Sequence, residues 1–193
     1  MFLRNYAEYQ RALGISQPNT GTSGNSTTLP LTSLKNLTDT TANHYLAGVN
    51  GTSSFMTTSY WVDALRRAYD VFNFVRMAVG TGTTEADPDD YCLEDDKTSS
   101  FTSVSFSSSF GLSEDGHFTL IFSWTGTNTT QNDIVISEAG IIKTLGMYVN
   151  STIGSSASGI TNDDFLIARM ILPNPVTIGV GNSGTVIIKI ELF

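Results

Sequence analysis

Between Phe101 and Trp124 the chain alternates with a period of two, and this pattern limits the possible folds more than any other feature of the sequence. Val104, Phe106 and Phe110 fall on one face of an extended segment, and Ser103, Ser105, Ser107 and Ser109 fall on the other. Phe118, Leu120, Phe122 and Trp124 repeat the pattern against Thr119, Ile121 and Ser123, and the intervening Glu114-Asp115-Gly116 suits a hairpin turn. Two paired strands with one dry face are expected.

The same reading extends to both sides of this pair. Phe74 to Val79, Asp133 to Ile142, Met147 to Val149, Phe165 to Leu172 and Thr185 to Phe193 read as strands, separated by Gly, Asn, Ser or Pro clusters. No helical pattern lies between the later ones to make parallel crossovers. The expected fold is mainly β, an antiparallel β-sandwich or jelly-roll-like domain over residues 74–193.

Before it, the chain changes character. Phe2, Tyr6, Tyr9 and Leu13 lie on one face at helical spacing, and Gly14 stops that short amphipathic helix. From Ser16 onward Gly, Ser, Thr and Asn dominate, with Leu29, Leu31, Leu34 and Leu37 as isolated apolar points. Residues 1–57 therefore have too little apolar surface to fold alone, and read as an extended N-terminal arm that becomes ordered on a neighbouring subunit, the alternative being a disordered leader. A second helix is expected over residues 58–73, capped by Ser59, with Trp61, Leu65, Ala68, Tyr69 and Phe72 on one face.

Charge narrows the partners. Ten basic residues against eighteen acidic ones give a net charge of −8, which disfavours nucleic acid and anionic membrane surfaces. No apolar run is long enough to span a membrane as a helix, and the first residues lack the apolar core of a secretion signal. The single cysteine, Cys92, excludes an internal disulfide framework and fits synthesis in a reducing cytoplasm. Asn-x-Ser/Thr triplets at Asn25, Asn36, Asn50, Asn128 and Asn150 are what abundant Asn, Ser and Thr produce by chance.

Chemistry is hard to find. His44 and His117 have no partners at metal-ligand or acid/base spacing, and Gly181-Asn-Ser183-Gly184 is explained by a turn before the last strand. Gly80-Thr-Gly82 reads as a turn too, because acids follow it where a phosphate loop needs donors. Asp87, Asp89 and Asp90, with Glu94, Asp95 and Asp96, form an acidic loop that is a weak calcium candidate lacking the order of an EF-hand. No cofactor is expected.

One pair of charges stands apart. Alternation puts Glu138 on the face of Ile134 and Ile136, and Arg169 on the face of Phe165, Ile167 and Ile171. A buried charge without a partner costs several kcal/mol, so the two are expected to form an ion pair that sets strand register.

Taken in order, Met77-Ala-Val-Gly-Thr-Gly-Thr-Thr84, an acidic loop with Leu93-Glu94, Ile136-Ser-Glu-Ala-Gly-Ile-Ile142, Leu166-Ile-Ala-Arg-Met170 with Pro173 and Pro175, and a closing strand resemble a domain of tailed-bacteriophage structural proteins. The resemblance covers roughly residues 74–193. It implies a non-enzymatic virion component, such as a capsid decoration, head-fibre, collar or tail protein, made in the host cytoplasm and assembled with other virion proteins and with copies of itself as a homo-oligomer. The alternative is a carbohydrate- or receptor-binding module on the particle surface, using Trp61, Tyr91, Trp124 or Tyr148 as platforms for a host glycan.

Overall fold

The computed structural model of the chain describes residues 2–8, 34–39, 41–42, 45–46, 75–112, 116, 118–148 and 160–192. Nine strands lie among them: β1 Leu34–Lys35, β2 Thr41–Ala42, β3 Tyr45–Leu46, β4 Val75–Gly80, β5 Phe101–Leu112, β6 Phe118–Asn128, β7 Ile134–Tyr148, β8 Ile160–Ile178 and β9 Ser183–Leu192. All pairings are antiparallel.

The first sheet is built on β7, which pairs with β8 along one edge and with β4 and then β3 along the other. Two segments expected as separate strands, Asp133 to Ile142 and Met147 to Val149, are joined in this one strand. β8 likewise runs well beyond the expected Phe165 to Leu172, because its prolines sit in a bulge instead of ending it. Register moves from Glu138↔Ile171 to Ile136↔Val176, so residues 172–175, including Pro173 and Pro175, lie opposite Ser137 alone.

The second sheet has the order β5-β6-β9. β5 and β6 pair as the alternation predicts, their register closing at Leu112↔Phe118, and Gly116 in the connection has φ +80°. Val104 departs from expectation, since it is 45% exposed instead of facing the core. Ser103 and Val104 together oppose Gly126 in a bulge, with Ser103 at φ +50°, and the extra residue resets the alternation. Phe101 and Phe106 consequently share the inner face despite their odd spacing. Phe101 meets Trp124 edge-on at 4.9 Å, and Phe106 stacks with Phe122 at 6.2 Å. Gly126 is required there, as a Cβ would lie 2.7 Å from the Trp124 ring.

One buried cluster draws side chains from both sheets, among them Met77, Val79, Ile141 and Ile167 from the first and Phe122, Trp124 and Ile188 from the second. A smaller cluster on the opposite face of the first sheet joins Ala78, Ile142 and Leu166 to Leu93 and Leu3, with Leu37 against it. The first sheet is thus covered on both faces.

Part of what covers it was expected to belong to a neighbour. Residues 4–8 are helical, Phe2 bridges Ala168 at the free edge of β8, Leu3 is buried on this chain's own sheet, and Leu34 is buried as well. Phe2 and Tyr6 stack at 4.3 Å and pack against the main cluster. The physical reason is that β8 leaves backbone carbonyls unpaired on its outer edge, and the start of the chain supplies the donors. Tyr9, Leu13, Leu29 and Leu31, and the expected helix over residues 58–73, lie outside the described residues.

Candidate functional site

The densest gathering of ionisable groups among the described residues lies over the outer face of the first sheet, where the loop from Thr81 to Lys97 crosses β7 and β8. The loop is anchored at its ends: Thr81 N–H donates to the Asp95 carbonyl at 3.0 Å, and Lys97 N–H donates to the Val79 carbonyl at 2.9 Å. Thr98 Oγ1 accepts from Val79 N–H at 3.0 Å. A hydrophobic post, Leu93, plants the middle of the loop on Ile142 and Leu166, made possible by Gly140, whose Cβ would lie 2.6 Å from Leu166 Cδ1.

Under this strap lies Glu138, which is fully buried. Its carboxylate accepts from the backbone N–H groups of Gly82 at 3.1 Å, Glu94 at 3.1 Å and Asp95 at 2.8 Å. Arg169, 3% exposed, donates Nε to Glu138 Oε2 at 2.9 Å. The remaining guanidinium nitrogens reach Asp90 Oδ2 at 2.7 Å, the Thr84 carbonyl at 3.1 Å and Glu94 Oε2 at 3.5 Å. Ser137 Oγ adds a hydrogen bond to the Gly82 carbonyl at 2.9 Å.

The expected partners therefore meet, but not on the face that simple alternation assigned. Bulges between Ile136 and Glu138 and between Ile141 and Ile142 turn the two charges to the outer face, while Ile136 and Ile167 stay in the core between the sheets. Gly80-Thr-Gly82, read as a turn, does more: a Cβ on Gly80 or Gly82 would come 2.5 Å from Glu138 Oε1, so both glycines let the backbone close on the carboxylate.

Electrostatics follow from these contacts. For Arg169, burial works against the charge, and the hydrogen bonds to Asp90 and Glu138 outweigh it, so its pKa is raised. Glu94 is held below the usual carboxylate range, chiefly by the backbone N–H and then the hydroxyl of Thr84. Asp95 is lowered first by Lys97 and then by Thr81. Burial pushes the Cys92 thiol up, which disfavours the reactive thiolate.

The calcium candidates are drawn into the same network. Asp90 Oδ2 holds Arg169 and accepts from Asp87 N–H at 2.9 Å, Asp87 Oδ1 accepts from Asp89 N–H at 2.8 Å, and Asp89 pairs with Arg4 at 2.8 Å. Among the described residues no three potential metal ligands converge. With four donors on it, the Glu138 carboxylate has no lone pair facing a substrate, and an arginine neither gives nor takes a proton at ordinary pH. The arrangement is a clamp that ties a loop to a sheet.

Other features resolve in the same way. Trp124 is fully buried, and Lys35 Nζ lies 4.7 Å above the ring of Tyr91. Trp61 is outside the described residues, and Tyr148 is placed only as a position in β7 opposite Ile160. Ser183 Oγ meets Thr127 Oγ1 at 2.8 Å beside a turn in which Gly181 has φ +72°. His44, His117, Asn25, Asn50 and Asn150 are outside the described residues. Asn36 Oδ1 accepts from the backbone and hydroxyl of Thr38.

Two buried asparagines were invisible as structural centres in the sequence. Asn128, met there only as part of a triplet, donates Nδ2 to the carbonyls of Asn132 at 2.8 Å and Ile178 at 2.9 Å, which leaves no nitrogen for a glycan. Asn5 donates to the carbonyls of Lys35 and Leu166 and accepts from Lys35 N–H. No sequence signal distinguishes either from a surface asparagine. Among the described residues no helix is long and apolar enough to cross a membrane. No protein-family model, curated protein or solved structure matches this chain.

Proposed function

We propose that the chain is a non-enzymatic structural protein of a tailed-phage particle, a two-layer antiparallel β-sandwich that assembles with copies of itself and with other virion proteins on the head, collar or tail. The observation that carries this reading is the closed network around Glu138: the ionisable groups that come together are all spent on holding a loop to a sheet. A protein whose polar groups are committed to shape does its work through its surface.

The second sheet supports the same reading. Its outer face carries exposed Ser105, Ser107 and Ser109, with Thr125 Oγ1 against Thr185 Oγ1 at 3.0 Å, hydroxyl rungs left open to a neighbouring subunit. The glycan-binding alternative loses one of its four platforms, Trp124, to the core, and Lys35 Nζ lies over the ring of a second, Tyr91.

The test is to raise antibodies to the purified chain and probe density-gradient-purified particles of the phage that encodes it. Recovery in the particle fraction in a fixed ratio to the capsid protein is expected. Recovery only in the soluble fraction of lysed cells would overturn the assignment.

A further inference from the structure

The outer edges of the two sheets are treated differently. On β8, Leu3 N–H donates to the Ile167 carbonyl at 3.0 Å and Phe2 bridges Ala168. On β4, Lys97 N–H donates to the Val79 carbonyl, and Thr98 Oγ1 accepts from Val79 N–H. β9 includes Lys189 and Glu191, and charges on an edge strand guard it against the addition of another strand. The longest open edge among the described residues belongs to β5, which ends its sheet, pairs with β6 and has no proline or charged residue in its twelve positions.

The bulge at Ser103 and Val104 marks one limit of this edge. From Ser105 to Leu112 the strand runs in unbroken register with β6, so its outer side presents a regular row of backbone donors and acceptors. Val104 and Leu112, near its two ends, are 45% and 68% exposed, and Ser105, Ser107 and Ser109 between them are exposed too. Such a row can hold an added strand.

The order of residues along β5 selects which strand. Phe106-Ser107-Ser108-Ser109-Phe110 reads the same in both directions. Two copies of one strand related by a two-fold axis run antiparallel, so a palindrome meets its own residue types rung by rung. With the axis at Ser108, Phe106 comes opposite Phe110 of the partner subunit, Ser107 opposite the partner's Ser109, and Val104 opposite the partner's Leu112. Aromatic then faces aromatic, and the exposed apolar residues of the two strands cover each other. A segment of different sequence would gain nothing from this symmetry. Charge agrees with it, because two chains of net charge −8 repel one another and can meet most readily along an uncharged strand.

We infer that the outer edge of β5 pairs antiparallel with the β5 edge of a second copy about a two-fold axis at Ser108, joining two three-stranded sheets into one of six. This contact rests on the assembly reading above and gives it a defined interface.

The test uses the full-length chain, which should sediment as a dimer or as an assembly with an even number of copies. Two double variants, Ser107→Lys with Ser109→Lys and Ser107→Glu with Ser109→Glu, change exposed positions that the pairing brings opposite one another twice. Each alone should raise the dimer dissociation constant about tenfold or more, and an equimolar mixture of the two should restore association, lysine now facing glutamate. Circular dichroism checks that each is folded. If the double variants do not fold, Leu112→Asp takes their place, since its position is exposed in the single chain, and it should weaken the dimer to a similar extent.

A chain that stays monomeric at its solubility limit, a trimer, a dimer that folded variants leave unchanged, or a mixture that stays apart overturns the inference. These readouts use purified protein and the particle assay uses phage, so this contact and the virion assignment can fail separately.

Discussion

The outer faces of the two sheets treat polar groups in opposite ways. On the first sheet, Glu138 and Arg169 are dry beneath a loop that supplies backbone donors and two further carboxylates. On the second, register aligns Ser105 with Thr125 and Thr185, and Ser107 with Ser123 and Ile187, in rungs with no charged partner. A hydroxyl left in water, or paired with the hydroxyl beside it, costs little. A buried charge is tolerated only where the chain returns over it with a matching set of donors and acceptors. The charges of Glu138 and Arg169 thus lie where a loop comes back, and the hydroxyl rungs of Ser105 and Ser107 where none does.

The contrast can be broken most forcefully at Arg169. Arg169→Met leaves Glu138 buried without its cation and should destabilise the protein by about 3–5 kcal/mol, measured by urea unfolding. The double variant Glu138→Gln, Arg169→Met should recover part of that loss, because two neutral side chains leave no uncompensated charge. A double variant as unstable as the sum of the singles would show that the charges act independently.

Acid should weaken the strapped face next. The folded-state pKa of Glu94 is depressed, so its contribution is present above its unfolded value of about 4.3 and is lost as pH falls through the lower folded value. The urea midpoint of Glu94→Gln should therefore lie below that of the unsubstituted chain near neutrality, and the two curves should converge once pH has fallen through the lowered folded-state value. Parallel curves at every pH would mean that the Glu94 contacts to Thr83 and Thr84 contribute nothing that depends on charge.

The smallest effect belongs to the second sheet. Thr125→Val, which removes the rung with Thr185, should change stability by no more than about 0.5 kcal/mol, because the site is at the surface and valine favours strands. A loss several times larger would show that the hydroxyl rungs hold this sheet together, and the contrast would fail.

Much of this was legible in the chain itself. The alternation at Leu120, Phe122 and Trp124 put three side chains in the core that the structure also buries. The odd spacing of Phe101 and Phe106 concealed their shared face, because nothing in the residue types announces the bulge at Ser103 and Val104. Gly80 and Gly82 were visible as glycines, but the reason for them, a carboxylate contributed from a strand more than fifty residues later, was not.

What the sequence determined by itself was the strand-rich character of the chain and the need of Glu138 and Arg169 for one another, since both follow from local side-chain period and from the cost of burying charge. The tertiary structure decided which face those charges occupy, that Asp90, Glu94 and three backbone N–H groups complete their shell, and that residues 2–8 seal the edge of β8. Each depends on register between distant segments, and a one-residue bulge turns a side chain from one face of a sheet to the other.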